Sequence, residues 1–256
     1  MPAWLVARIT FLETLRKKDY YVLLILLGIY ALIATMLLQE KAQNDAIRRL
    51  LFSLGLTFSF GAAAILVVVL AARQVPKEIE QGTILPLLAR PLSREQFLTG
   101  KFLACWLVGL IALLSFVVLI RLMVRPPLGF SEILFAQTII LKAAGLGALA
   151  AMTLMLSLVL PEALNITLSL GYYFLWGIVF NILQSALAFV GGMGGRVVGR
   201  GLYALPHFEM LNISRICLAQ GEPLAWWLTL SLIVYAAVYV VIAFLVAFNL
   251  FEKRWV

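Results

Sequence analysis

Charge is scarce in this chain. Only 12% of its 256 residues are Asp, Glu, Lys or Arg, about half the share a soluble domain carries. Acidic residues are scarcer still, with 12 Asp and Glu against 20 Lys and Arg, and Asp19 and Asp45 are the only aspartates. That excludes membrane prenyl-transferases, which need paired Asp-rich motifs. It also excludes intramembrane aspartyl proteases, because no Asp falls in an apolar run. No Gly-x-Ser-x-Gly elbow is present to support a serine protease. Histidine occurs once, at His207, and the spacing of His207, Glu209 and Cys217 matches no zinc or protease pattern. No metal site is expected. Cys105 lies in an apolar run and Cys217 in a polar loop, so no disulfide is expected between them. A basic start, short apolar core and small-residue cleavage site are also missing, so residues 1–19 are expected to be retained rather than removed as a signal peptide.

Apolar sequence dominates instead, at 64%. About 20 mostly apolar residues cross a hydrocarbon core, and six runs qualify: 20–38, 50–72, 102–124, 143–160 (its apolar pattern starting earlier, near Ile133), 165–190 and 226–251. Backbone polar groups in lipid must be paired within the segment, and the alternation of barrel strands is absent, so these are expected to be helices. The fold class is therefore an all-α integral membrane protein with six transmembrane helices in a single transmembrane domain, 1–256. Residues 1–19 alternate apolar Trp4, Leu5, Ile9, Phe11, Leu12 and Leu15 with polar Arg8, Glu13, Arg16 and Lys17. That pattern suits an amphipathic helix in the interface plane. With both termini inside, inner segments hold eleven Lys and Arg against eight outside, and the cluster at 16–18 flanks the first span. The positive-inside rule then sets both termini in the cytoplasm. A net charge of +8 fits basic loops beside anionic membrane lipid, not nucleic-acid binding. Arg121 and Lys142 are expected near outer span ends, where long side chains snorkel to the interface. The outer loop 191–225 opens with the Gly-rich run GGMGGRVVGRG and continues as a Pro-punctuated amphipathic stretch, expected to pack on the outer ends of the spans.

Residues 73–101 form the longest polar interruption between strongly apolar runs, with five Lys and Arg and three Glu. Pro76 is suited to the first turn of a helix, and Glu78 and Glu80 would sit at that helix's positive end. Gly82 ends it, Pro91 breaks the chain again, and Ser93-Arg94-Glu95-Gln96 has the form of a capping box before an apolar run. Short helices at the membrane surface are expected, the last running from Ser93 through Lys101 into the third span.

The run Glu78-x-Glu80-x-Gly82-Thr83, then Leu87-Leu88, Pro91, Ser93-Arg94 and Gly100-Lys101, resembles the signature of exporter-type (type-2) ABC transporter permeases. Six spans, an amphipathic start and a long outer loop with Leu205-Pro206 extend the likeness over nearly the whole chain. The resemblance implies a non-catalytic permease subunit in the bacterial cytoplasmic (inner) membrane. In that family the segment between spans two and three is cytoplasmic and carries a coupling helix that docks on a separate ATPase subunit. ATP and Mg belong to that partner, and the permease pairs with a second copy or homologue. By position, Glu78, Glu80, Gly82, Thr83, Pro91, Arg94 and Lys101 would serve ATPase coupling. Gly100-Lys101 is followed by Phe102 where a phosphate-binding loop needs Ser or Thr, so the chain itself is expected to bind no nucleotide or other cofactor. Ser53, Thr57, Asn181 and Gln184 are polar residues within spans, either packing glue between helices or the lining of a substrate path. Two other readings remain open: a stand-alone secondary transporter, with Arg121, Lys142 or Glu162 binding the coupling ion, and a mechanotransmission scaffold without cargo flux.

Overall fold

The computed structural model describes residues 8, 10, 25, 28–32, 35, 45–80, 94–124, 131–190, 206–213 and 222–254. Among them no strand occurs. Five helices dominate: α1 (Asp45–Glu80), α2 (Arg94–Met123), α3 (Glu132–Ser157), α4 (Glu162–Val190) and α5 (Trp226–Arg254). All five are long and apolar enough to cross a membrane. Of the expected first span, 20–38, seven residues are described, all helical. One of them, Tyr30, is buried and donates its hydroxyl to the Leu51 carbonyl of α1 at 3.3 Å. Of the expected interfacial helix 1–19, Arg8 and Thr10 are described, both helical; the rest of both expectations lies outside the described residues.

The helices alternate in direction, and two ion pairs fix which ends meet. Arg73 of α1 reaches Glu162 at the start of α4 at 2.6 Å. Arg121 in the last turn of α2 pairs with Glu132 in the first turn of α3. The end of the bundle that carries Arg73 and Glu162 is called the lower end below, and the end that carries Arg121 and Glu132 the upper end. Helix α3 is central and packs against each of the other four. Its partners bury Phe52, Leu51 and Leu56 of α1, Leu113 and Ile120 of α2, and Leu134, Leu141 and Leu149 of α3 in one continuous core. Helices α4 and α5 keep many of their apolar side chains exposed, including Leu175, Ile178, Leu230 and Val238, as a face turned to lipid requires. Three buried hydroxyls are satisfied on their own helices: Thr138, Thr153 and Ser59 donate to the Leu134, Leu149 and Gly55 carbonyls at 2.7–2.8 Å.

Three boundaries differ from expectation, each for a local reason. Helix α1 continues through Pro76 to Glu80, so Pro76 does not start a new helix. A proline inside a helix costs about 3 kcal/mol through a lost hydrogen bond and a clash. Burial of the neighbouring Val75 against Phe97, Leu98, Leu154 and Ala247 offsets it. Helix α3 begins at 132, not 143, because Ser131 caps it: its backbone is extended and its Oγ accepts from the Leu134 amide at 3.3 Å. Glu132 in that first turn adds a favourable charge at the positive end of the helix. The third departure is the 3₁₀ turn Phe208–Leu211. Leu211 packs 3.4 Å from where a Cβ of Gly145 would lie, and Glu209 fills the space a Cβ of Gly177 would need. Each glycine is thirteen residues from the upper end of its helix, a drop of about 20 Å at 1.5 Å per residue. Segment 206–213 therefore re-enters the bundle to half depth and does not rest on the helix ends.

Candidate functional site

The lower end gathers the flanks of the polar segment. Lys101 of α2 is almost fully buried and donates to Gln74 Oε1 of α1 at 2.9 Å, with its ammonium 5.4 Å from the Phe97 ring centre. Beneath lies a separate apolar cluster, Val75, Phe97, Leu98, Leu154, Leu158 and Ala247, drawn from α1, α2, the end of α3 and α5. Arg73 carries the same block to α4 through Glu162. Glu162 is held in place because Pro161 ends the tight turn after α3 and its carbonyl accepts the Asn165 amide at 3.0 Å. Asn165 is itself buried, donating to the Thr153 carbonyl at 3.0 Å and accepting from Ser169 Oγ at 3.1 Å. Asn165 thus clasps α4 to the end of α3. Glu78 and Glu80 lie on the last turn of α1 and Arg94 opens α2; the side chains of all three lie outside the described residues, as do Gly82, Thr83 and Pro91 entirely.

The upper half holds the polar residues assigned to a substrate path. The Thr57 hydroxyl is exposed and donates to the Ser53 carbonyl one turn back at 2.9 Å. Asn181 is exposed on α4, and its carbonyl accepts Ser185 Oγ at 2.9 Å. Gln184 is half-buried, with its Nε2 buried and without a partner. No hydrogen bond among the described residues joins the α1 pair to the α4 pair.

Lys142 departs most from expectation. It sits ten residues below Glu132 and fifteen above Ser157, about 15 Å and 22 Å from the two helix ends. A four-carbon stem cannot span either distance, so Lys142 does not snorkel. It is 7% exposed. Its ammonium lies 4.7 Å from the Phe60 ring centre and 6.0 Å from that of Tyr173, and no hydrogen bond or ion pair reaches it among the described residues. Arg121, in contrast, lies at the helix end, with Glu132 beside it and the Phe135 ring 5.5 Å away.

The α4 aromatics Tyr172, Tyr173, Trp176 and Phe180 surround the re-entrant segment. Tyr172 donates to the Pro206 carbonyl at 2.8 Å, and the His207 amide donates to the Tyr235 hydroxyl of α5 at 2.9 Å. The His207 ring stands edge-on to Phe180 at 4.5 Å. His207 is an anchor of this segment, and among the described residues no three His, Cys, Asp or Glu gather as metal ligands.

A family model matches residues 38–255, from before α1 to the last residues of α5. The chain belongs to the DUF2705 family. That family is described as a protein of unknown function, so the match assigns all five described helices to one family unit and assigns no activity. No curated protein matches the chain. Within this DUF2705 unit, three residues central to the geometry were not legible as such in the sequence. Gln74 acquires its meaning only from Lys101, 27 residues on. Gln137 binds both the amide and the carbonyl of Leu224, at 3.1 and 2.8 Å, tying α3 to the start of α5 across 87 residues. Trp176 reads as one aromatic among many in an apolar helix.

Proposed function

We propose that this chain is the permease subunit of an ABC-type complex, coupling ATP hydrolysis on a separate ATPase to export of a substrate across the membrane. The observation that carries the reading is the bracing of both flanks of the polar segment. Residues 81–93 leave from α1 and return into α2. Those two helices are joined immediately inside the segment by Lys101–Gln74 and by Val75 against Phe97 and Leu98. Arg73–Glu162 adds α4 to the same block. A force applied to the segment by an ATPase would reach three helices together instead of being absorbed in a loose hairpin. In thermodynamic terms, such contacts let a nucleotide-driven equilibrium on one chain bias a packing equilibrium on the other. The reading includes the cytoplasmic (inner) membrane of a bacterium, the lower end and both termini on the ATPase side, and a second permease chain. The resemblance of the 78–101 pattern to exporter-type permeases supports these features.

Glu80→Lys is expected to weaken ATPase association without unfolding the bundle. Gentle extraction of the tagged chain, with co-purifying proteins identified by mass, checks this: a near-equimolar soluble ATPase with wild type, and less with the variant, is the expected result. Unchanged co-purification and unchanged ATP-driven activity in the variant would refute the coupling role. Lys142, an ionisable group buried at mid-helix, favours a second reading as a stand-alone secondary transporter. Extraction without any ATPase, together with ion-driven uptake in reconstituted vesicles, would put that reading first.

A further inference from the structure

Lys142 buries its amine at mid-helix depth, and no carboxylate pairs with it among the described residues. The ring faces of Phe60 and Tyr173 supply its described electrostatic contacts. Ring faces recover part of the cost of burying an ammonium, but they leave its three N–H donors unused. The next turn of α4 adds another donor, because Trp176 Nε1 is buried and has no hydrogen-bond partner among the described residues. Tyr173 and Trp176 lie three residues apart and so share a helix face. The re-entrant segment closes over both, with Phe208 at 5.7 Å from Tyr173 and His207 at 6.2 Å from Trp176. Glu209, the carboxylate on that segment, stands against Gly177 and forms no ion pair with Lys142. Among the described residues the region thus combines a buried amine, an unsatisfied donor and aromatic walls without a matching acceptor. Outside it, Leu175, Ile178 and Val179 of α4 are exposed.

We propose that Lys142 and the Trp176 indole bind the anionic oxygen group, a carboxylate or a phosphate, of an amphipathic molecule whose apolar part lies among the surrounding rings. The acceptor oxygens complete the donors, and the negative charge balances the ammonium. This site requires no ATPase, so its failure leaves the permease reading standing, and the loss of that reading leaves the site standing.

The test uses the full-length chain, with any co-purifying partners, in phosphatidylcholine nanodiscs. Three pyrene-labelled probes of equal chain length are titrated: a long-chain carboxylate, a phosphate monoester and an alcohol. The anionic probes are expected to bind about tenfold or more tighter than the alcohol, the range of a charge-assisted hydrogen bond. Lys142→Gln is expected to erase that preference, Lys142→Arg to retain it, and Trp176→Phe to weaken anionic binding several-fold. Displacement of the probe by inorganic phosphate alone would support the site with a free anion as its source; no displacement would support an amphiphile. Equal binding of alcohol and anion by the wild-type chain would overturn the proposal even if the Lys142 variants failed to fold. So would an anionic preference that survives in folded Lys142→Gln.

Discussion

The two helices that flank the polar segment pack tightly at Gly109 of α2. A Cβ placed there would overlap Cγ2 of Val67 on α1, and Val67 is fully buried. Valine in a helix keeps essentially one side-chain rotamer, so Val67 cannot turn aside, and Gly109→Ala must push the helices apart. Overpacking of this kind costs about 1–3 kcal/mol. Replacing a mid-helix glycine with alanine recovers about 0.5–1 kcal/mol, so a net loss of about 1–2 kcal/mol is expected. Val67→Ala alone removes contact atoms that lipid does not replace inside the bundle, and should cost about 1–2 kcal/mol through the void it leaves. In the double variant the alanine methyl enters that void. The two losses should therefore fall short of additivity by about 1–3 kcal/mol. Thermal or SDS unfolding of the four proteins in detergent reads the cycle directly. A stable Gly109→Ala, or a double variant that loses the full sum, would refute the claim that this contact sets the α1–α2 spacing.

The other expectations concern polar contacts. Reversing either charge of Arg73–Glu162 should lower the melting temperature, and reversing both should restore it. The gain is held to about 1 kcal/mol because both side chains are more than a third exposed; equal melting in all four proteins would show the pair to be idle. Gln137→Leu should cost about 2–3 kcal/mol by stranding the Leu224 amide and carbonyl, and hydrogen exchange at the start of α5 should quicken. Unchanged exchange at Leu224 would count against that strap. Lys142→Met should raise the melting temperature, by about 1 kcal/mol or more in stability, because it removes an unbalanced charge from the bundle. A lower melting temperature would mean that the ammonium has a stabilising partner after all.

Much of the architecture was legible because the apolar runs are long and the boundary chemistry is local. Ser93-Arg94-Glu95-Gln96 announced a helix running into the third span, and α2 does begin at Arg94. The errors arose where a local signal competed with packing. Pro76 resembles a helix start, but Val75 and its neighbours hold α1 continuous through it. Gln137 and Lys142 place polar groups in the front half of α3. One is satisfied by a backbone 87 residues away, and the other rests on rings from two other helices. Neither partner can be inferred from spacing along one chain. The depth of segment 206–213 was hidden for the same reason, since Gly145 and Gly177 read as ordinary small residues until something occupies the room they leave. Of the residues carried over by resemblance, Lys101 has a described setting, braced against Gln74.

The Gln137–Leu224 strap has a consequence for how the protein is made. A ribosome adds about 5–20 residues per second, so the 87 residues between the two partners take about 4–17 s to appear. Once α3 is complete and until Leu224 emerges, the Gln137 amide lacks the backbone it will clasp, and the face of α3 toward α5 is bare. The nascent bundle must wait for its last helix before its central one is closed in. A chaperone or insertase that shields that face, or a protease that inspects it, would find its substrate in chains stalled before Leu224. Truncation there should send the product to degradation even though four of the five long helices have been completed.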